Sequence, residues 1–342
     1  MKLLKKLTEA SSTAGQEDEV KAILKAELKS ICDKVTEDEL GNVIGFKRGK
    51  APAAKRKKIM LAGHMDEIGF IVNHIDDKGY LRILPLGGFD PRTLMAQKVF
   101  VMGKGRKKLP GLLNVAGKPI HIQTPDERKK ELRVQDFYVD LGLPNKEVVK
   151  LVAIGDRVTW RRDFEKIGKC LSCKAMDDRV GIYVMVEALK KAKNPTHDVY
   201  AVGSVQEEVG CRGAHVSGYG IDPHIGIALD VTIAADTPGS EGHTTVSKLG
   251  EGIAIKIMDS HSISDPGLVK EFKALAKKLK IKHQPEILPR GGTDAGAIQR
   301  TRGAKRVITL SVPTRYVHSV NELVHPDDVQ AGIDLLAAYL KQ

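Results

Sequence analysis

The chain changes its pattern twice. From about Ile68 to Glu165 it runs as short strand-like pieces, "IGFIVNHI", "YLRILPL", "KVFVMGK", "KPIHIQT", "FYVDLG" and "DRVTWRRDF". Gly, Pro and Asp-Lys-Gly turns separate them, and only "PNKEVVKL" carries helical periodicity. Such a stretch reads as a self-contained β domain. Outside it the period lengthens. "EDEVKAILKAELKS", from Glu17 to Ser30, sets Val20, Ile23, Leu24 and Leu28 on one helical stripe, with acids early and lysines late as the helix dipole favours. "RVGIYVMVEALKKAK", "PGLVKEFKALAKKLK" and "PDDVQAGIDLLAAYLK" are further helices, the last opened by Pro326. Between them stand the buried-strand runs "VYAVGSV", "HIGIALD" and "RVITLSV"; nearer the N-terminus, "NVIGFKR" and "KIMLAG" read as strands joined by a basic hairpin. Buried strands alternating with helices imply a mostly parallel mixed sheet covered by helices on both faces. The expected architecture is therefore an α/β domain made of residues 1–67 and 166–342, interrupted by a small β domain at 68–165.

Bulk composition narrows the class without choosing a function. A hydrophobic content of 42% and a charged content of 29% belong to an ordinary globular protein, and 342 residues suffice for a well-buried core. The net charge of +12 keeps an acidic partner in view. Its basic clusters, "KRGKAPAAKRKK" and "GKGRKK", are laced with Gly and fit solvated loops. Aromatic residues make up 4%, thin for a surface that stacks bases or sugars. Of the four cysteines, Cys170 and Cys173 have C-x-x-C spacing, but no second pair accompanies them, so reduced thiols are expected. No run approaches the ~18 apolar residues of a membrane span, and Lys5, Lys6 and Glu9 interrupt any signal-peptide core. A soluble, cytoplasmic protein is expected, with no membrane or nucleic-acid partner.

Chemistry in open α/β sheets gathers beyond the carboxyl ends of the strands. His64 and Asp66 follow "KIMLAG", Asp177 and Asp178 follow "LSCKAM", and Glu207 and Glu208 follow "VYAVGSVQ". Asp230 follows "GIAL" and His318 follows "TLSVPTRYV". Singly, each has an ordinary role as a helix cap or a solvated loop residue. Together, so many carboxylates at one edge repel one another unless a cation joins them. If His64 and Asp230 hold one divalent ion, Glu208 and His318 a second, and Asp177 bridges both, three carboxylates offset three of four positive charges. Mixed imidazole and carboxylate donors suit zinc, and also cobalt or manganese. Asp66 is placed to orient His64, and Glu207, beside a ligand but outside the set, is placed to act as a general base.

In order along the chain, "GHMDEIGF", "AMDDRVG", "QEEVGCRGA", "ALD", "GGTDAG" and "TRYVHS" resemble the motifs of the tetrahedral (TET) dinuclear metallo-aminopeptidases, metallopeptidase family forty-two. Some members of that family carry deblocking, glutamyl aminopeptidase or endoglucanase labels. The resemblance covers nearly the whole chain. It implies a zinc-peptidase-like fold and two metal ions, one on His64, Asp177 and Asp230 and one on Asp177, Glu208 and His318. It further implies Glu207 as base and Asp66 as the residue supporting His64. Peptide substrates, a β domain that mediates dimerisation, and a hollow tetrahedral dodecamer are also implied. Asp294, within "RGGTDAG", is a candidate for the substrate pocket or for a tight turn. A glycosidase would need two carboxylates flanking a sugar and no metal. A nucleic-acid module leaves the strand-end acids unexplained, and a metal-dependent carboxypeptidase or deacylase would need a cationic clamp for a substrate carboxylate.

Overall fold

A computed structural model describes residues 1–342, which divide into two compact units. The first comprises Met1–Glu67, Phe164–Val317 and Asn321–Gln342; the second comprises Ile68–Asp163 and His318–Val320.

Four parallel strands form the middle of the first unit, in the order Asp198–Ser204, Lys58–His64, Ile225–Ile233 and Arg306–Arg315. Antiparallel strands extend them into an eleven-stranded sheet. The apolar runs are buried almost end to end because helices cover both faces, and successive side chains go to opposite layers. Ile59 and Leu61 enter one core, with helices Met176–Lys191 and Pro326–Leu340. Met60 and Ala62 enter the other, beneath Arg212–Ile221 and Asp294–Gln299. The second layer is thin because small residues build it: Ala214, Ala228, Ala295 and Ala297 line it. A Cβ on Gly226 would come within 2.6 Å of Ile298. The expected mixed sheet with helices on both faces is what forms, but it is parallel chiefly at its four central strands, and most of the pairings that extend it are antiparallel.

One connection departs from expectation. The strands Val43–Lys47 and Lys58–His64 are not a hairpin; Asp198–Ser204 lies between them, antiparallel to the first and parallel to the second. The basic segment is therefore a crossover containing the short turn Ala53–Lys55. The two strands run antiparallel, but Asp198–Ser204 occupies the place between them, so the segment has to cross over that strand instead of turning back on its own neighbour.

The second unit is a closed six-stranded barrel of antiparallel pairs, including Gly69–Ile75 with Leu81–Leu86 and Gln97–Met102 with Lys108–Val115. Phe70, Val72, Val99, Val101, Phe137, Val158 and Trp160 fill it, and closure leaves no open edge. Here the basic cluster is a true hairpin tip, with Gly105 at φ +68°. The segment "KPIHIQT", expected as a strand, is instead the short 3₁₀ turn Ile120–Ile122, with Ile120 and Ile122 more than half exposed. Its apolar alternation has no sheet neighbour to pair with. Lys108–Val115 was masked by Pro110 and Gly111 at its centre. No helix of the protein is long and apolar enough to cross a membrane.

Candidate metal centre

In the first unit His64 closes Lys58–His64, with Asp66 just beyond it; Glu207 and Glu208 follow Asp198–Ser204, Asp230 lies within Ile225–Ile233, and Asp177 lies at the start of the helix Met176–Lys191, after the antiparallel-paired strand Cys170–Cys173. His64 Nδ1 lies 3.0 Å from the Asp66 backbone carbonyl, which can only accept, so Nδ1 carries a proton and Nε2 is the nitrogen left to face a metal. Nε2 lies 2.9 Å from Asp177 Oδ1. Donor atoms of His64, Asp177 and Asp230 all fall within 4.8 Å of one another, and those of Asp177 and Glu208 are equally close.

Asp66 acts on His64 through its backbone. Its carboxylate, 3.6 Å from Nδ1, is committed elsewhere: Oδ1 accepts from the Glu207 N–H at 3.0 Å and Oδ2 from the Glu208 N–H at 3.1 Å. One fully buried carboxylate thus grips two consecutive backbone amides and fixes the loop that carries both glutamates. Asp178 ties two further elements, accepting from the His64 N–H at 3.1 Å and the Gly181 N–H at 3.0 Å. Gly181 leaves room for that tie, since a Cβ there would stand 2.3 Å from Asp178 Oδ1. The Asp177–Asp178 peptide bond is cis. Glu322 Oε2 accepts from the Asp177 N–H at 2.9 Å.

Behind this edge is a buried ionic knot that the sequence does not announce. Lys174 Nζ donates to both oxygens of Glu67 at 2.8 Å and to the Ala10 carbonyl at 2.7 Å. Arg179 donates to the carbonyls of Leu7 and Ser12. Glu67 also accepts from the Ser12 N–H at 3.1 Å. The residues next to His64 and Asp66 are in this way sewn to the N-terminal segment.

The electrostatics favour a cation. Burial foremost, then the Asp177 carboxylate, pushes Asp230 well above the usual carboxylate range. Burial likewise lifts Glu207 to about 8 and Asp294 to about 6. Burial opposes the charged form of His64, but the Asp177 carboxylate on Nε2, with the Asp66 and Glu207 carboxylates close by, outweighs it and holds the imidazole well above its ordinary value, so that an ion entering the site displaces the Nε2 proton. Crowded, desolvated carboxylates accept protons when no ion shares the space. The buried oxygen and nitrogen donors around Asp177 fit zinc, cobalt or manganese.

In the second unit His318 stands at φ +62°, and its Nδ1–H donates to the Gly88 carbonyl at 2.8 Å, which leaves Nε2 as the nitrogen for a ligand. Asp294 opens the helix Asp294–Gln299, buried, with Oδ2 accepting from the Ser204 hydroxyl. Sequence reasoning did not assign the grip of Asp66 on residues 207 and 208, the tie made by Asp178, or the buried Lys174.

The model of the M42 glutamyl aminopeptidase family matches residues 41–335. The lysyl aminopeptidase of Pyrococcus furiosus is 37% identical, over 99% of this chain and 96% of its own length. The solved TET aminopeptidase of a marine-sediment Thaumarchaeota archaeon is 35% identical with a TM-score of 0.95, over 100% of this chain and 96% of that one. The TET1 peptidase of Pyrococcus horikoshii, which can assemble into a tetrahedron or a large octahedral shell, is 29% identical with a TM-score of 0.87, over 100% and 99%. Family model, relatives and fold agree with a buried metal-ligand edge, and this chain accordingly belongs to the M42 glutamyl aminopeptidase family, as a metal-dependent hydrolase of peptide bonds.

Proposed function

We propose that the protein removes N-terminal residues from short peptides at a dinuclear centre, with Glu207 as general base. The observation that carries this reading is the Asp66 grip. Because one carboxylate holds the amides of both residues 207 and 208, two side chains of the same type leave adjacent, fixed positions in different directions. Glu208, near Asp177, serves as ligand; Glu207 Oε2, 3.9 Å from His64 Nε2, stays beside the set without joining it. His64 and Asp230 would hold one ion, Glu208 and His318 the other, with Asp177 shared. Bound divalent ions supply Lewis acidity, polarising the scissile carbonyl and acidifying water. Glu207 takes the proton from the attacking water and delivers it to the leaving amine. Its raised affinity for protons suits both halves of that transfer. A panel of aminoacyl chromogenic substrates should be turned over by the metal-loaded protein and left intact after chelation. Turnover of blocked, N-acylated substrates alone would favour a deacylase instead.

The barrel unit supports a second element of the proposal, self-association through residues 68–165 into dimers and then a closed dodecameric shell. Leu84, Met95, Leu112, Ile120, Ile122, Val149 and Ile154 are exposed on it, more apolar surface than a small isolated barrel needs. A shell with inward-facing sites would admit short, unfolded peptides in the cytoplasm and exclude folded proteins. Light scattering of the full chain should return a mass many times the 37.3 kDa of one copy. A monomer at micromolar concentration would contradict this.

A further inference from the structure

Glu207 also belongs to a second donor cluster, whose other members, Cys211 and Asp294, the hydrolytic reading does not use. Cys211 Sγ donates to Glu207 Oε1 at 3.1 Å. Donor atoms of Glu207, Cys211 and Asp294 all lie within 4.8 Å of one another. The loop holds this arrangement: the Gly210 and Cys211 amides both donate to the Glu207 carbonyl at 2.8 Å. Cys211 sits at φ +52°, a conformation that a side chain enters only when its surroundings hold it there. It heads the helix Arg212–Ile221, 7% exposed.

Asp294 supplies the independent observation. It is 2% exposed, and while Oδ2 is taken by Ser204, Oδ1 is buried with no hydrogen-bond partner. A buried acceptor left in that state is costly and calls for an explanation. One thiol and two carboxylates offer a cation a mixed sulfur and oxygen set, and the sulfur sets the preference: thiolate favours zinc or cadmium over magnesium or manganese.

We propose that Cys211, Glu207 and Asp294 form an inhibitory cation site, distinct from the His64, Asp177 and Asp230 group, that captures a thiophilic divalent ion, zinc present in excess being the natural case. On binding, the thiol proton passes to solvent and the ion takes its place between sulfur and the carboxylate oxygens. With the ion on Oε1, the Glu207 carboxylate is neutralised and becomes too weak a base to take the water proton, and hydrolysis stops. The inhibition rests on Glu207 being the base; the binding does not.

The probe is cadmium, titrated into the cobalt-loaded full-length protein while ultraviolet thiolate-to-cadmium charge-transfer absorption and turnover are followed together. The band should grow over the same concentrations at which activity falls. Cys211→Ala should lack the band, and its half-inhibitory cadmium concentration should rise by at least the ~10–100-fold that even a supporting partner of a metal ligand is worth. Cys211→Ser, which keeps a donor for Glu207, should lose the band equally and so controls for folding. A band of unchanged size in Cys211→Ala would place the thiolate at Cys32, Cys170 or Cys173 and overturn the site. An unchanged half-inhibitory concentration would overturn it too, placing inhibition at the hydrolytic ions. The band reports binding whatever Glu207 does, whereas kcat of Glu207→Gln alone decides the base, so the two failures are distinguishable.

Discussion

Glu207→Gln should lower kcat by ~10²–10⁴-fold, the loss of one general base, with little change in KM. The amide keeps the size of the side chain and the backbone grip of Asp66, which acts on the Glu207 N–H and not on its carboxylate. It still accepts a hydrogen bond from Cys211 but no longer accepts a proton. Steady-state kinetics on a substrate that the wild type cleaves well checks this. A loss below tenfold would mean that another group takes the water proton; Asp294, a buried carboxyl close to Glu207, would be the next to examine.

Lys174→Met should destabilise the fold by ~3–5 kcal/mol, because it strips a buried carboxylate of its main partner. Lys174 and Glu67 are each 1% exposed, and methionine restores neither the two 2.8 Å contacts to Glu67 nor the contact to the Ala10 carbonyl. Glu67 would retain only the Ser12 amide and Arg179 at 3.6 Å. Adding Glu67→Gln to Lys174→Met removes the stranded charge and should recover a large part of the loss, since replacing both partners of a buried pair is far milder than breaking it. Denaturant midpoints of the single and double variants check the sign. If the single variant were as stable as the wild type, the knot would not be holding the N-terminal segment to the residues beside His64.

That His64, Glu208 and Asp230 would approach one edge was legible because continuous apolar runs mark the central parallel strands that carry or precede them, whereas Asp177 follows a short strand paired antiparallel on both sides. The barrel was legible as a change of period. What stayed hidden depends on partners far apart in the chain. Asp66 meets Glu207 and Glu208 across more than 140 residues, and nothing local distinguishes a carboxylate that supports an imidazole from one that grips two amides. Lys174 and Arg179 carry no local sign of burial, because the carboxylate that meets them, Glu67, is more than 100 residues away in the chain. The crossover at 47–58 looked like a hairpin because its Gly, Pro and Lys content suits either. The strand Lys108–Val115 carries Pro110 and Gly111, which punctuate a pattern that the barrel nonetheless pairs on both sides.

The division of labour between the two neighbouring glutamates is the centre of the account, and metal content measures it most directly. Elemental analysis of dialysed wild type, Glu207→Gln and Glu208→Gln should give two equivalents of divalent metal per chain for the first two. For Glu208→Gln it should give close to one, with added zinc or cobalt partly restoring both occupancy and turnover. Loss of metal in Glu207→Gln with full occupancy in Glu208→Gln would reverse the roles. A single equivalent in fully active wild type would contradict the dinuclear centre itself.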